Sequence, residues 1–281
     1  MKLTLAFSPC PNDTFIFDAL VNGHINTDGI EFEYNLDDVE GLNQKALRAE
    51  FDISKISYGV LPRILPNYQV LDAGSALGRG VGPLLVSVEP VNFDLLNNNV
   101  GVVALPGENT TAHRLFCFAF PQMKNKLFVR FNEIEDLTLS RKVTAGVLIH
   151  ENRFTYESRG LIKWMDLGQN WEETTGAPIP LGGIVIRESL PLEVKKTINL
   201  LIRHSIEWAN QTYIKNKHPL SAFITENAQE MDPKVMRQHI DLYVNDYSLS
   251  LGEMGRRSII SLMENGVSHP NTNFKFGGVF I

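Results

Sequence analysis

Asn109, Thr110 and Thr111 stand between an apolar run ending in Leu105-Pro106-Gly107 and a helix-like stretch reaching Phe120. Hydroxyls and free backbone N–H groups at a helix N-terminus suit carboxylates and other anionic or polar groups, because the helix dipole points that way. About forty residues later a second short strand, Val143 to Ile149, runs into His150-Glu151. Histidine titrates near pH 6.5, which makes it a proton acceptor near neutral pH. A polar cradle and a histidine, each at a strand end, point to one cleft. Taken singly, they fit an ordinary capped helix and a surface histidine equally well.

The elements that must position these groups are legible as periodicity. Leu3, Leu5 and Phe7 alternate with polar or small residues, as in a strand. Asp13 or Thr14 is placed to cap a helix carrying Phe15, Ile16, Ala19 and Leu20 and closed by Gly23. A strand follows at Ile30–Tyr34, a helix at 39–50 and a strand at Phe51–Ile56, an order that indicates an α/β layer with a mainly parallel sheet. Pro83–Val88 and Gly182–Ile186 read as extended crossings on either side of a second α/β unit. The remainder is helical: 191–217, then a helix opened by Asp232-Pro233, with Gly266 stopping the last.

The expected fold class is therefore α/β with two lobes. Residues 1–91 and 179–281 form a discontinuous first lobe and 92–178 an inserted second, with a hinge at Leu85–Val88 and Ile184–Ile186. In such sheets ligands bind beyond the carboxyl ends of the strands. That puts five loops at the cleft: Ser8–Thr14, Ser54–Ser57, Ser75–Gly82, Asn109–Thr111 and His150.

Whole-chain properties exclude several classes. A chain of 281 residues with net charge −6 argues against a nucleic-acid-binding surface. Cys10 and Cys117 form neither a disulfide framework nor zinc spacing and read as small apolar fillers. His113 and Cys117 lie four apart on one helix but lack further ligands, and Gly78–Gly82 is not a GxGxxG fingerprint. No metal or cofactor is expected. Met1–Phe7 lacks the apolar core of a secretory signal, and no apolar run has membrane-spanning length, so a cytoplasmic protein is expected. The oligomeric state is not legible.

Five segments in order carry a resemblance: Ser8-Pro-Cys-Pro-Asn-Asp-Thr-Phe15, Lys55-Ile-Ser-Tyr-Gly59, Gly78-Arg-Gly-Val-Gly-Pro-Leu-Leu85, Pro106-Gly-Glu-Asn-Thr-Thr-Ala112 and Leu148-Ile-His-Glu151. Pro180-Leu-Gly-Gly183 fits the same pattern. Over nearly its whole length the chain resembles the 1,4-dihydroxy-6-naphthoate synthases of the futalosine route to menaquinone. The resemblance implies a type II periplasmic-binding-protein-like fold. It also implies a carbon–carbon lyase that takes cyclic dehypoxanthine futalosine to 1,4-dihydroxy-6-naphthoate by acid–base chemistry. A solute-binding or sensor protein of that fold, and a chorismate dehydratase-type enzyme of the same route, are the alternative readings.

The resemblance implies His150 as the proton acceptor and Thr110, Thr111, Lys55 and Ser57 as substrate contacts. Lysine would pair with a substrate carboxylate, and serine would donate a hydrogen bond. The alternative reading is that alternation sends one of Lys55 and Ser57 to solvent, with Ser57 favoured for the cleft. Asn12 is a candidate for substrate hydroxyls, Arg79 for a carboxylate, and Glu151 for orienting the imidazole. Cys10 lacks a histidine nearby in sequence and is not expected to act as a nucleophile. Phe15, Phe17, Phe116, Phe118 and Phe120 are expected in the core.

Overall fold

The computed structural model describes residues 1–90, 93–228, 232–265 and 278–281. Among the described residues eleven strands form two sheets: β1 (Lys2–Phe7), β2 (Glu31–Leu36), β3 (Ile53–Ser57), β4 (Tyr68–Val70), β5 (Ala76–Gly78), β6 (Leu84–Ser87), β7 (Val103–Leu105), β8 (Lys126–Phe128), β9 (Ala145–Leu148), β10 (Ile162–Asp166) and β11 (Ile179–Arg187). The first sheet has the order β2-β1-β3-β11-β4, with β5 also paired to β11; the second runs β10-β6-β9-β7-β8.

Both sheets are mixed rather than mainly parallel. β1, β2 and β3 pair parallel, as do β7, β8 and β9, each through a helical crossover. β11 runs antiparallel to β3, β4 and β5, and β6 antiparallel to β9 and β10. The reason is topological: β6 and β11 each enter their sheet from the other one.

That topology corrects the expected boundary and hinge. β6 lies inside the second sheet, so residues 84–87 belong there and not to the first lobe. Leu85 and Val86 are fully buried, and Ile184–Ile186 are buried between β3 and β4. The chain crosses between the sheets at 79–83 and 176–178 instead.

The first helix, Pro11–Val21, corrects another expectation. Its N-cap is Cys10, with Pro11 in the first turn, so neither Asp13 nor Thr14 caps it. Asn22 and then Gly23, at φ +73°, close it. The helix Leu192–Ala209 continues as a π-helical stretch, Asn210–Lys215. Asp232 caps the helix Pro233–Tyr243 as its Asp-Pro pair predicts. Gly266 lies outside the described residues. Phe15, Phe17, Phe116 and Phe120 are buried, and Phe118 packs edge-on against Trp171. Among the described residues no helix is long and apolar enough to cross a membrane.

Candidate active site

Between the sheets opens a cleft bordered by the ends of β3 and β9, the start of the helix Thr111–Ala119 and β11. Val39, Leu42, Ile56, Val81, Ile149 and Leu181 supply apolar walls, with Ser8, Asn12, Lys55, Ser57, Thr110, Thr111 and His150 among them.

Lys55 and Ser57 both face the cleft, against the alternative that alternation would separate them. Residues two apart on a strand share a face. Lys55 Nζ lies 2.8 Å from Asp13 Oδ1 and donates to Gly74 O at 3.0 Å. Asp13 also accepts from Ser8 Oγ at 2.7 Å and from Asn12 Nδ2 at 2.9 Å. Its place in the first turn of Pro11–Val21 adds the favourable end of the helix dipole. Ser57 Oγ accepts from Asn43 Nδ2 at 3.1 Å, which orients its own proton away from that amide.

Thr110 is the N-cap of Thr111–Ala119; its Oγ1 accepts from His113 N at 3.2 Å and donates to Gly107 O at 2.9 Å. Thr111 Oγ1 accepts from Gly59 N at 2.9 Å and donates to Leu181 O at 2.6 Å, tying this helix to the first sheet. Gly59 has no alternative here, since a Cβ would stand 2.5 Å from the backbone of Thr110. The first-turn amides of Thr111 and Ala112 have no acceptor within the helix and border the cleft.

His150 sits just beyond β9 at φ +55°, a left-handed conformation that costs on the order of 1–3 kcal/mol for a non-glycine residue. Its Nδ1 is 3.6 Å from Cys10 Sγ, and Phe131 packs edge-on at 4.8 Å between centroids. Nε2 is buried and has no hydrogen-bond partner. Burial holds the imidazole below its usual pKa, with Lys55 adding to the effect; Glu151, then Asp13 and Asp38, oppose it. Burial, and then Glu151, push the Cys10 thiol well above its ordinary value, so it is protonated at neutral pH.

A family model described as menaquinone biosynthesis matches residues 3–267. The chain belongs to the menaquinone biosynthesis family. Within it, a 1,4-dihydroxy-6-naphthoate synthase of Streptomyces coelicolor is 41% identical over 266 residues, 93% of this chain and 91% of that one. Among solved structures, protein AF1704 from Archaeoglobus fulgidus superposes with a TM-score of 0.86 at 30% identity, covering 94% of this chain and 96% of that one. The periplasmic aliphatic sulphonate binding protein SsuA from Escherichia coli reaches 0.66 at 9% identity, covering 94% and 92%. The fold is thus the two-lobed periplasmic-binding-protein type.

Of the residues singled out in this family member's sequence, Asn12, Lys55, Ser57, Thr110, Thr111 and His150 gather at one cleft. Arg79 does not. Its side chain is 57% exposed, pairing with Glu172 at 3.3 Å and donating to Gly176 O, because the turn after β5 carries it outward. The two cysteines are more than fillers: Cys10 contacts His150, and Cys117 Sγ accepts from Lys126 Nζ at 3.0 Å. That lysine also lies 3.2 Å from His113 Nε2, standing between the two groups whose spacing resembled a metal pair. Cys10, His150 and Glu151 bring one ligand atom each within 4.8 Å of one another. Such a donor set suits zinc, and chain separation hides it from sequence reading. Asn43, whose amide donates to Ser57, was not anticipated; it sits on a helix with no motif to flag it.

Proposed function

We propose that this chain is a 1,4-dihydroxy-6-naphthoate synthase, a carbon–carbon lyase acting on cyclic dehypoxanthine futalosine in the cytosol, with His150 as its base. The observation carrying the reading is His150 itself: a strained, half-buried imidazole, bordering the cleft, with Nε2 lacking any partner. Its depressed pKa keeps it neutral, and so able to accept a proton, at and somewhat below neutral pH. For the Nε2 lone pair to act, Nδ1 must carry the hydrogen, with Cys10 Sγ as its acceptor.

The rest of the lining divides by chemistry. The Ser57 hydroxyl and the amides of Thr111 and Ala112 form a donor set for a carboxylate, with Lys55 adding positive charge already balanced in part by Asp13. The apolar walls fit an aromatic ring. When His150 takes a substrate hydroxyl proton, that oxygen forms a carbonyl as the carbon–carbon bond breaks. The bond's electron pair passes into the ring as an enolate, and the sugar-derived fragment leaves as the carbonyl compound. Return of the proton to the enolate oxygen leaves an aromatic hydroxyl.

The test is turnover of cyclic dehypoxanthine futalosine, followed by product mass and ultraviolet absorbance, beside His150→Ala. Naphthoate formation by the wild type, lost in a variant that still binds, is the expected result. Binding without turnover in either protein would make it a receptor. Turnover surviving the substitution would retain the enzyme and remove His150 as its base.

A further inference from the structure

The chain just after His150 has little to hold it from within. The helix Asn152–Thr155 is a single turn, too short to be stable alone, and none of its residues is buried. The next buried apolar side chain after Leu148 is Tyr156. Yet His150 keeps a left-handed backbone, which persists only where the surroundings impose it. Arg153 meets this turn and the 79–83 crossing between the sheets together. Its N–H donates to His150 O at 3.4 Å, while its guanidinium donates to Gly82 O at 2.6 Å and Gly80 O at 3.1 Å. Those two carbonyls flank Val81, which lines the cleft. The crossing is also fixed from its other side, where a Cβ on Gly82 would stand 2.3 Å from Gly168 Cα. Asp166, N-cap of the helix Leu167–Thr175, lies 3.6 Å from Arg153 Nη2 and balances a guanidinium side chain that is only 11% exposed. Arg153 also acts on the hydroxyl of Tyr243, which ends the helix Pro233–Tyr243 at the cleft border.

We propose that Arg153 is a positioning residue of this site: it locks the interlobe crossing to the His150 turn, keeping Val81 and the imidazole in register at the cleft. The proposal rests on the reading of His150 as the base. Arginine suits the task because its planar fork meets two carbonyls at once, which the single ammonium of lysine does not. Loss of the fork frees both carbonyls and removes the side-chain tether from the left-handed turn. A base displaced on the order of 1 Å loses about a hundredfold in rate. The ligand-facing groups Lys55, Ser57 and Thr111 stand on other elements, β3 and the helix Thr111–Ala119, so the loss falls on kcat rather than on KM. Arg159 supplies the contrast. It lies on the same stretch of chain, but it pairs with Glu135 and Asp136 of the helix Ile134–Leu139 in the second lobe, away from the crossing.

The experiment uses the full chain and compares Arg153→Met, Arg153→Lys and, as a control, Arg159→Met. Turnover of cyclic dehypoxanthine futalosine gives kcat and KM. The His150 ring signals, assigned through His150→Gln, are recorded by NMR at about pH 8, where the ring is neutral. Arg153→Met should lower kcat about a hundredfold, keep KM within about threefold, and displace the His150 signals. Arg153→Lys should recover only part of the rate. Arg159→Met should hold kcat within about twofold and leave the His150 signals in place, since an exposed pair contributes little. Should Arg153→Met fail to fold, Arg153→Lys carries the test, and wild-type kcat and signals in that variant overturn the proposal. An Arg153→Met protein with wild-type His150 signals, or equal loss of kcat in both methionine variants, overturns it as well. A wild type without turnover would remove the lyase reading, and the NMR comparison would then decide by itself whether Arg153 holds the turn.

Discussion

Lys55 Nζ and Asp13 Oδ1 form a 2.8 Å ion pair whose side chains are 6% and 4% exposed. Two charges so far from water are tolerable because their remaining valences are filled by Gly74, Ser8 and Asn12. Removing one partner leaves the other charge uncompensated. Lys55→Met is therefore expected to cost about 3–5 kcal/mol in urea unfolding, and adding Asp13→Asn should recover much of it. A Lys55→Met protein of wild-type stability would show that the lysine serves ligand alone.

The Thr111 hydroxyl fastens the second sheet's helix to two backbone groups of the first, Gly59 N and Leu181 O. Thr111→Val keeps the shape and strands both. A loss of about 1–3 kcal/mol is expected, with Thr111→Ser restoring most of it. Thermal unfolding of the two variants side by side makes the comparison. A Thr111→Val protein of wild-type stability would overturn the fastening role of the hydroxyl.

Acid should destabilise the fold through buried histidine. His239 is held well below its ordinary pKa by burial, so the folded state stays unprotonated where the unfolded chain, titrating near 6.5, takes up a proton. Stability is then lost as pH falls below about 6.5, by up to about 1.4 kcal/mol per pH unit for each such group. His150, shifted in the same direction, adds to the slope. Urea midpoints between pH 7 and pH 5 should fall, and His239→Leu should flatten the decline. A slope indifferent to that substitution contradicts the assignment.

Arg79 provides the opposite kind of prediction. Its guanidinium meets Glu172 at the surface, where such pairs contribute about 0–1 kcal/mol. Arg79→Ala should leave KM unchanged and stability within that range. A KM raised tenfold would return this arginine to the substrate.

These contrasts mark what a linear chain discloses. Asp232-Pro233 as a helix start was legible because capping is decided within four residues. The cleft itself was legible because strand ends in an α/β layer converge, which is why Asn12, Ser57 and His150 meet. The hinge was not: periodicity identifies β6 as extended without saying which sheet it joins, and only its pairing with β9 and β10 decides that. Cys10 looked inert for a similar reason, since the histidine that matters to it is 140 residues away. His239 carried no signal, because a histidine on an amphipathic helix has the same local pattern whether it faces solvent or the interior.

Cys10 and His150 come from opposite halves of the molecule, one following β1 and the other following β9. Any separation of the two halves takes the sulfur from Nδ1 and readmits water around the ring, undoing the burial that lowers its proton affinity. The acidity of this imidazole is therefore a property that neither half holds alone.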